Sequence, residues 1–327
     1  MAMKAAFAVA NLQCYTACDV HKTKMSTEIS FAGRAVIVTG AGGALGRAYA
    51  LEFGRRGAMV VVNDLGNRET GRSAAADETV AMIKQAGGKA VADYHNVVEG
   101  DKIVQTCIDN FGRVDIVINN AGILRDVSFH KMTDAQWKLL QDVHVYGAYK
   151  VTRAAWPYMR EQKYGRIVMT ASSSGLYGNR GQTNYSTAKL GLVGFAHSLA
   201  QEGKKYNIKV NCIAPVAGSA MTKTIMPEDL VAALKPKYVA PLVLFLSSEQ
   251  CPDTDGIFEV AAGWVAKLRY ERTKGHCFDL SKPFEPEQIA QQWEHIVDFT
   301  DADHPQNQQE AFGVIFANLE TAKKAAL

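Results

Sequence analysis

The chain has 327 residues, 47% hydrophobic and 21% charged, enough apolar side chain for one large domain or two ordinary ones. Its 36 basic and 33 acidic residues leave a net charge of +3, too balanced to mark a nucleic-acid-binding surface. No apolar run approaches the roughly 20 residues that cross a bilayer, so no membrane span is expected.

In chain order, residues 1–27 stand apart. The first 24 are Ala-rich, with three Lys and one acid, and read as a disordered or targeting extension. RAVIVTG (34–40) is a short apolar strand that runs into glycines, and LGRAYALEFGRRG (45–57) continues as a helix. MVVVND (59–64), a helix closing at TVAMIKQAGG (79–88), KAVADY (89–94), the helix DKIVQTCIDNFG (101–112) and DIVINNAG (115–122) repeat the alternation. Asp134 to Glu161 reads as one long helix, bent or interrupted near Pro157. RIVMTAS (166–172), a helix carrying TNYSTAKL (183–190), KVNCIAP (209–215), a helix ending near Leu246 and GIFEVAAG (256–263) complete the series.

Strands that alternate with helices and read as continuous apolar runs predict a Rossmann-type α/β fold. That is a doubly wound parallel sheet of about seven strands with helices on both faces. The core domain is expected over 28–265. A helical C-terminal appendage is expected over 266–327, packed on the core or on a partner subunit. The six cysteines form no CxxC pair, and Cys107 and Cys212 fall in apolar-periodic segments, so buried free thiols are expected. The eight histidines show no HExxH spacing, and no metal is expected.

TGAGGALG (39–46) lies between a strand and a helix, where glycines permit a tight turn and close approach to a pyrophosphate at the helix N-terminus. Gly40, Gly42, Ala44, Leu45 and Gly46 are the candidate contacts. Asp64 ends the next strand, 18 residues after Gly46, as expected of the acid that binds the adenosine ribose hydroxyls. A carboxylate there repels a 2′-phosphate, so the expected cofactor is NAD; Arg68 is the one feature that argues for NADP.

Tyr185 precedes Lys189 by four residues on a helix, so phenol and ammonium share a face. The pair is either a surface Lys beside a half-buried Tyr or a phenol whose pKa a fixed positive charge pulls down. With TGAGGALG, NNAG (119–122) and Ser172, 13 residues before Tyr185, the chain resembles the short-chain dehydrogenase/reductase family. The resemblance implies that Tyr185 is the acid/base, that Lys189 stabilises the phenolate and holds the nicotinamide ribose, and that Ser172 holds the substrate oxygen. Ser173 and Ser174 read as structural. Asn119, Ala121 and Gly122 are implied to shape the floor of the cofactor cleft, with Pro215 also at the cofactor. Many members carry Asn in a VNxxG segment that completes a proton relay. This chain reads VHVYG (143–147), and His144 is the candidate for that role, with a core-packed His as the alternative. His95 stands where an Asp often contacts adenine, leaving the backbone of Asn96 or Val97 as the substitute.

Longer stretches, including RAYALEFGRRGAMVVVNDLG, NNAGILRD, YGNRGQTNYSTAKLGL and KLRYERT, are similar to the dehydrogenase domains of the peroxisomal multifunctional enzyme type 2 (D-bifunctional) subfamily. That likeness implies NAD-dependent oxidation of (3R)-3-hydroxyacyl-CoA to 3-oxoacyl-CoA in beta-oxidation, an acyl-CoA substrate and a homodimer. The alternatives are a 3-oxoacyl thioester reductase or hydroxysteroid dehydrogenase, and a non-catalytic dinucleotide sensor. Hydratase and sterol-carrier domains are not in the chain, so either a stand-alone enzyme or a fragment is expected. The chain ends KKAAL rather than in an SKL-type address, which sets mitochondrial or cytoplasmic residence beside the peroxisomal one. Lys267, Arg269 and Arg272 read as a salt-bridging face, with contact to coenzyme A phosphates as the alternative.

Overall fold

A computed structural model describes residues 28–67, 69–218, 227–281 and 283–325. The extension at 1–27 and Arg68 lie outside the described residues. Eight strands form one sheet: β1 (Ala35–Thr39), β2 (Met59–Asn63), β3 (Lys89–Asp93), β4 (Ile116–Asn119), β5 (Gly165–Thr170), β6 (Ile208–Pro215), β7 (Ile257–Ala261) and β8 (Trp264–Leu268). The order is β3-β2-β1-β4-β5-β6-β7-β8, parallel through β7, with β8 antiparallel to it. The eighth strand lies beyond the seven expected. It is a hairpin return that carries no crossover helix, and it spans the 265/266 boundary drawn from sequence.

The helices are α1 (Ala44–Arg55), α2 (Ala74–Gln85), α3 (Gly100–Phe111), α4 (Asp134–Gln141), α5 (Gly147–Gln162), α6 (Ser173–Tyr177), α7 (Thr183–Gly203), α8 (Glu228–Ala233) and α9 (Ala240–Ser247), then α10 (Pro286–Gln291), α11 (Trp293–Ile296) and α12 (Gln308–Ala325) in the C-terminal region. The strands alternate between two cores. Val36 and Val38 join Tyr49 and Phe53 of α1 and Val243 of α9. Ala35 and Ile37 face Val104 of α3, Val151 of α5 and Val193 of α7. With both faces covered, a central strand must be apolar at every position, which is why β1 and β4 are buried throughout. Truncating Ile37, 0% exposed, to Ala would open a cavity at a cost of about 2–5 kcal/mol.

The expected helix over 134–161 is continuous but not uniform. A π-helical turn at Asp142–Tyr146 separates α4 from α5 and carries His144 into the interior. Pro157 does not interrupt α5 and sits on its exposed face. Cys107, Cys212 and Cys251 are buried free thiols and Cys277 is exposed. Arg272 bridges to Asp303 through side chain and backbone and Lys267 pairs with Asp253, so both serve as inter-element ties. No helix among the described residues is long and apolar enough to cross a membrane.

Candidate active site

The carboxyl ends of the parallel strands open into a cleft of about 400 Å³. The glycine-rich turn after β1 lines its middle. Gly40 adopts φ +65°, and a Cβ there would stand 2.9 Å from the Ala121 Cα, so the turn packs directly on the segment after β4. A Cβ on Gly46 would overlap the Gly40 carbonyl oxygen. Gly43 caps α1 without a side-chain hydrogen bond, which leaves the first backbone N–H groups of the helix facing the cleft. Gly40, Ala44, Leu45 and Gly46 line it as expected, and Gly42 does not. Gly42 instead donates its N–H to Asp64 Oδ2 at 2.8 Å and fixes that carboxylate from behind. Burial raises the Asp64 pKa, opposed by that N–H and by the Ser73 hydroxyl, 3.5 Å from Oδ1.

The NNAG segment divides its labour differently from the expectation. The Asn119 side chain turns away from the cleft and donates to Thr152 Oγ1 at 2.9 Å on α5, because a β4 residue at that parity faces the α5 core. Asn120, which sequence reasoning passed over, lines the cleft and braces the turn, donating to the Thr39 carbonyl at 2.9 Å. Thr39 Oγ1 accepts the N–H groups of Asn120 and Ala121, both at 3.0 Å. The doubled Asn was the available signal. Ala121, Gly122 and Pro215 line the cleft. At the far end it is bordered by His95, Asn96 and Val97, and His95 Nδ1 lies 2.9 Å from buried Asp93 Oδ2. An acid therefore does end β3, but it is consumed by His95, Asn63 and Thr106.

Ser172, Tyr185 and Lys189 meet on one wall. Ser172 caps α6, its hydroxyl accepting from the Ser174 N–H at 3.2 Å. Lys189, 3% exposed, donates to the Thr170 carbonyl at 2.6 Å, with its ammonium 5.5 Å from the Tyr185 ring centroid. The expectation that this charge pulls the phenol down is not met. Burial pushes the Tyr185 pKa up, eased by Ser172, and Asp126 raises it further. Burial acts on the ammonium as well, lowering Lys189 from 10.5 to about 7. The physical reason is that both ionised forms lose water, while the Lys189 head is directed at a carbonyl rather than at the phenolic oxygen.

His144 packs edge-on against Tyr185, ring centroids 5.3 Å apart. Its Nε2 lies 2.9 Å from the Ile123 carbonyl and 3.2 Å from the Ile123 N–H. The shorter contact assigns the proton to Nε2 and leaves Nδ1 a buried acceptor without a partner. Burial and the Lys189 charge lower its pKa to about 3, so the ring is neutral at physiological pH. Gly122 is needed for this ring, since a Cβ there would come within 2.6 Å of His144 Cε1.

The donor set suits a nicotinamide dinucleotide: a turn in which Cβ atoms on Gly40, Gly42 and Gly46 would clash, open helix N–H groups, the Asp64 carboxylate in the cleft lining, and Thr170 Oγ1 buried in the cleft wall without a partner. A model of the short chain dehydrogenase family matches residues 34–232. The chain is 56% identical over 295 residues to peroxisomal multifunctional enzyme type 2 of Mus musculus, covering 89% of this chain and 40% of that one. It is 54% identical over 282 residues to the peroxisomal hydratase-dehydrogenase-epimerase of Saccharomyces cerevisiae, covering 85% and 31%. It resembles the solved structure of full-length peroxisomal multifunctional enzyme type 2 from Drosophila melanogaster with a TM-score of 0.78 and 43% identity, covering 90% and 50%. The chain thus spans half or less of the length of each of these three relatives. The matched segment contains both the glycine turn and the Ser172–Tyr185–Lys189 wall, and the chain belongs to the short-chain dehydrogenase family.

Proposed function

We propose that the chain oxidises (3R)-3-hydroxyacyl-CoA to 3-oxoacyl-CoA with NAD, a beta-oxidation step in the peroxisome, as a homodimer. The observation that carries the reading is the convergence of Ser172, Tyr185 and Lys189 on a cleft whose other end presents the Asp64 carboxylate. The mouse and yeast relatives support the substrate class and the compartment. Exposed Trp137, Leu139, Tyr146 and Leu190, spread over α4, the π-helical turn and α7, support the dimer.

Bound in the cleft, the nicotinamide supplies the hydride acceptor. The glycine turn and the α1 N–H groups would hold the phosphates of the dinucleotide, and Asp64 would hold the adenosine ribose and repel a 2′-phosphate. Ser172 donates to the substrate oxygen and orients the carbinol carbon. Tyr185 takes the hydroxyl proton, and a protonated phenol must release its own as it does so. Lys189, its head held by the Thr170 carbonyl and 5.5 Å from the phenol ring centroid, holds the nicotinamide ribose and lends its charge to the phenolate, while the released proton passes to water in the cleft. His144 packs beside Tyr185 with its Nε2–H held by the Ile123 carbonyl, which leaves Nδ1 as a hydrogen-bond acceptor that can orient the groups passing the proton.

The experiment is to offer (3R)- and (3S)-3-hydroxyacyl-CoA of several chain lengths with NAD and follow NADH. Turnover of the (3R) series alone is expected. Preference for (3S), or activity confined to steroids or carrier-protein thioesters, overturns the assignment.

A further inference from the structure

Arg47 and Arg72 do not line the cleft, but each is tied to a residue that touches the Asp64 carboxylate or abuts it. Arg47, in the first turn of α1, donates to the Ala75 carbonyl at 3.5 Å and to Glu78 Oε2 at 2.7 Å, while its buried Nε finds no partner. The Ala75 methyl and Asp64 Oδ2 each lie 2.7 Å from the point a Cβ on Gly42 would occupy, so Arg47 reaches the residue that abuts the Asp64 carboxylate. Its charge is felt there, lowering the Asp64 pKa against the dominant effect of burial. Arg72 directly precedes Ser73, the residue whose hydroxyl faces Asp64 Oδ1. Its guanidinium pairs with Asp77 Oδ2 at 3.0 Å and lies 5.6 Å from the Tyr94 ring centroid. The Tyr94 hydroxyl donates to the same Asp77 carboxylate. Two consecutive carboxylates of α2 therefore hold Arg47 and Arg72.

A ribose 2′-phosphate is recognised by guanidinium forks, which offer paired N–H donors and a fixed charge. Asp64 repels that group, but a carboxylate alone discriminates weakly if a free arginine stands beside it. We propose that Asp77 and Glu78 are positioning residues for cofactor choice: they engage Arg72 and Arg47, so neither of these two arginines is free to compensate a phosphorylated ribose beside the Asp64 carboxylate. This rests on the reading of Asp64 as the group that selects NAD. The pairs are partly exposed, and pairs of that kind contribute little to the fold, so each carboxylate can be neutralised without loss of the structure.

The test is equilibrium binding of NADH and NADPH, followed by their fluorescence, at low and moderate salt. The proteins are the wild type, Glu78→Gln, Asp77→Asn, Glu78→Gln with Arg47→Leu, and Asp64→Ala; thermal melts verify folding. Glu78→Gln should tighten NADPH roughly three- to tenfold and leave NADH within about twofold, the scale of one exposed charge pair. The gain should shrink with salt and vanish when Arg47 is also replaced. Asp77→Asn should act in the same direction. A ratio unmoved in both carboxylate variants, or a gain that survives without Arg47, overturns the proposal. If Asp64→Ala also leaves the ratio unchanged, the NAD-selecting role of Asp64 is wrong and this inference falls with it. If Asp64→Ala shifts the ratio and the other two do not, only the role of Asp77 and Glu78 fails.

Discussion

Replacing Lys189 by Met should abolish turnover and yet stabilise the fold at acid and neutral pH. Burial lowers the ammonium from 10.5 to about 7, and at ~1.4 kcal/mol per pH unit that gap is an unfavourable contribution of about 5 kcal/mol while the group is charged. The folded pKa lies below the unfolded one, so between about pH 7 and 10.5 the unfolded chain carries the extra proton. Wild-type stability therefore rises with pH across that window, and the whole penalty is present below pH 7. Methionine fills nearly the same volume without the charge, but it strands the Thr170 carbonyl that accepts from Lys189 at 2.6 Å, at a cost of about 1–3 kcal/mol. The net gain for Lys189→Met should be about 2–4 kcal/mol at pH 6 and should vanish or reverse by pH 10. Urea unfolding followed by tryptophan fluorescence at both pH values measures it, with the slope checked for constancy. A variant less stable at both, or stabilised equally at both, refutes the account of Lys189 as a buried ammonium strained by desolvation.

Tyr185→Phe keeps the ring and removes the ionisable oxygen, so turnover should fall by about 10²–10⁴ while NADH binding, read by fluorescence, survives. Retention of near-normal turnover would return Tyr185 to a packing role. Asp64→Ala should shift the ratio of NADP to NAD efficiency by about 10- to 100-fold toward NADP, measured as kcat/KM with each cofactor. Comparable efficiency with both cofactors in the wild type would contradict the selection of NAD by Asp64. Gly122→Ala drives a methyl to within 2.6 Å of His144 Cε1 and should cost about 1–3 kcal/mol of stability. If His144 relays protons, Gly122→Ala and His144→Ala should both lower kcat more than they change KM; a lowered Tm with kcat intact would leave the ring a packing residue.

The dinucleotide turn is legible in sequence because it is local. A strand, a run of glycines and a helix are specified by adjacent residues, and Asp64 directly follows the next strand. Tyr185 and Lys189 share a face by helical geometry alone. The continuous apolar strands likewise announce a sheet covered on both sides. Features set by distant packing are not written locally. Asn119 and Asn120 are adjacent and chemically identical. Their separation into a strut against Thr152 and a brace on the turn depends on which side of β4 faces α5. His144 turns inward because a π-helical turn inserts a residue into an otherwise ordinary helical run, beside a glycine 22 residues earlier. The eighth strand is short and half-exposed, and only its pairing with β7 gives it strand form.

The electrostatics of Tyr185 and Lys189 separate the two levels most clearly. Their spacing of four residues puts them on one face, and spacing alone leaves open whether the ammonium activates the phenol or is a surface Lys beside a half-buried Tyr. The fold buries both and aims Lys189 at the Thr170 carbonyl, so desolvation raises the phenol and lowers the amine instead. Spacing along a helix sets which side chains are neighbours. How much water each retains depends on β5, the α6 cap and the cleft wall, elements brought together from distant parts of the chain, and that hydration decides which of the two groups can hold a proton near neutral pH.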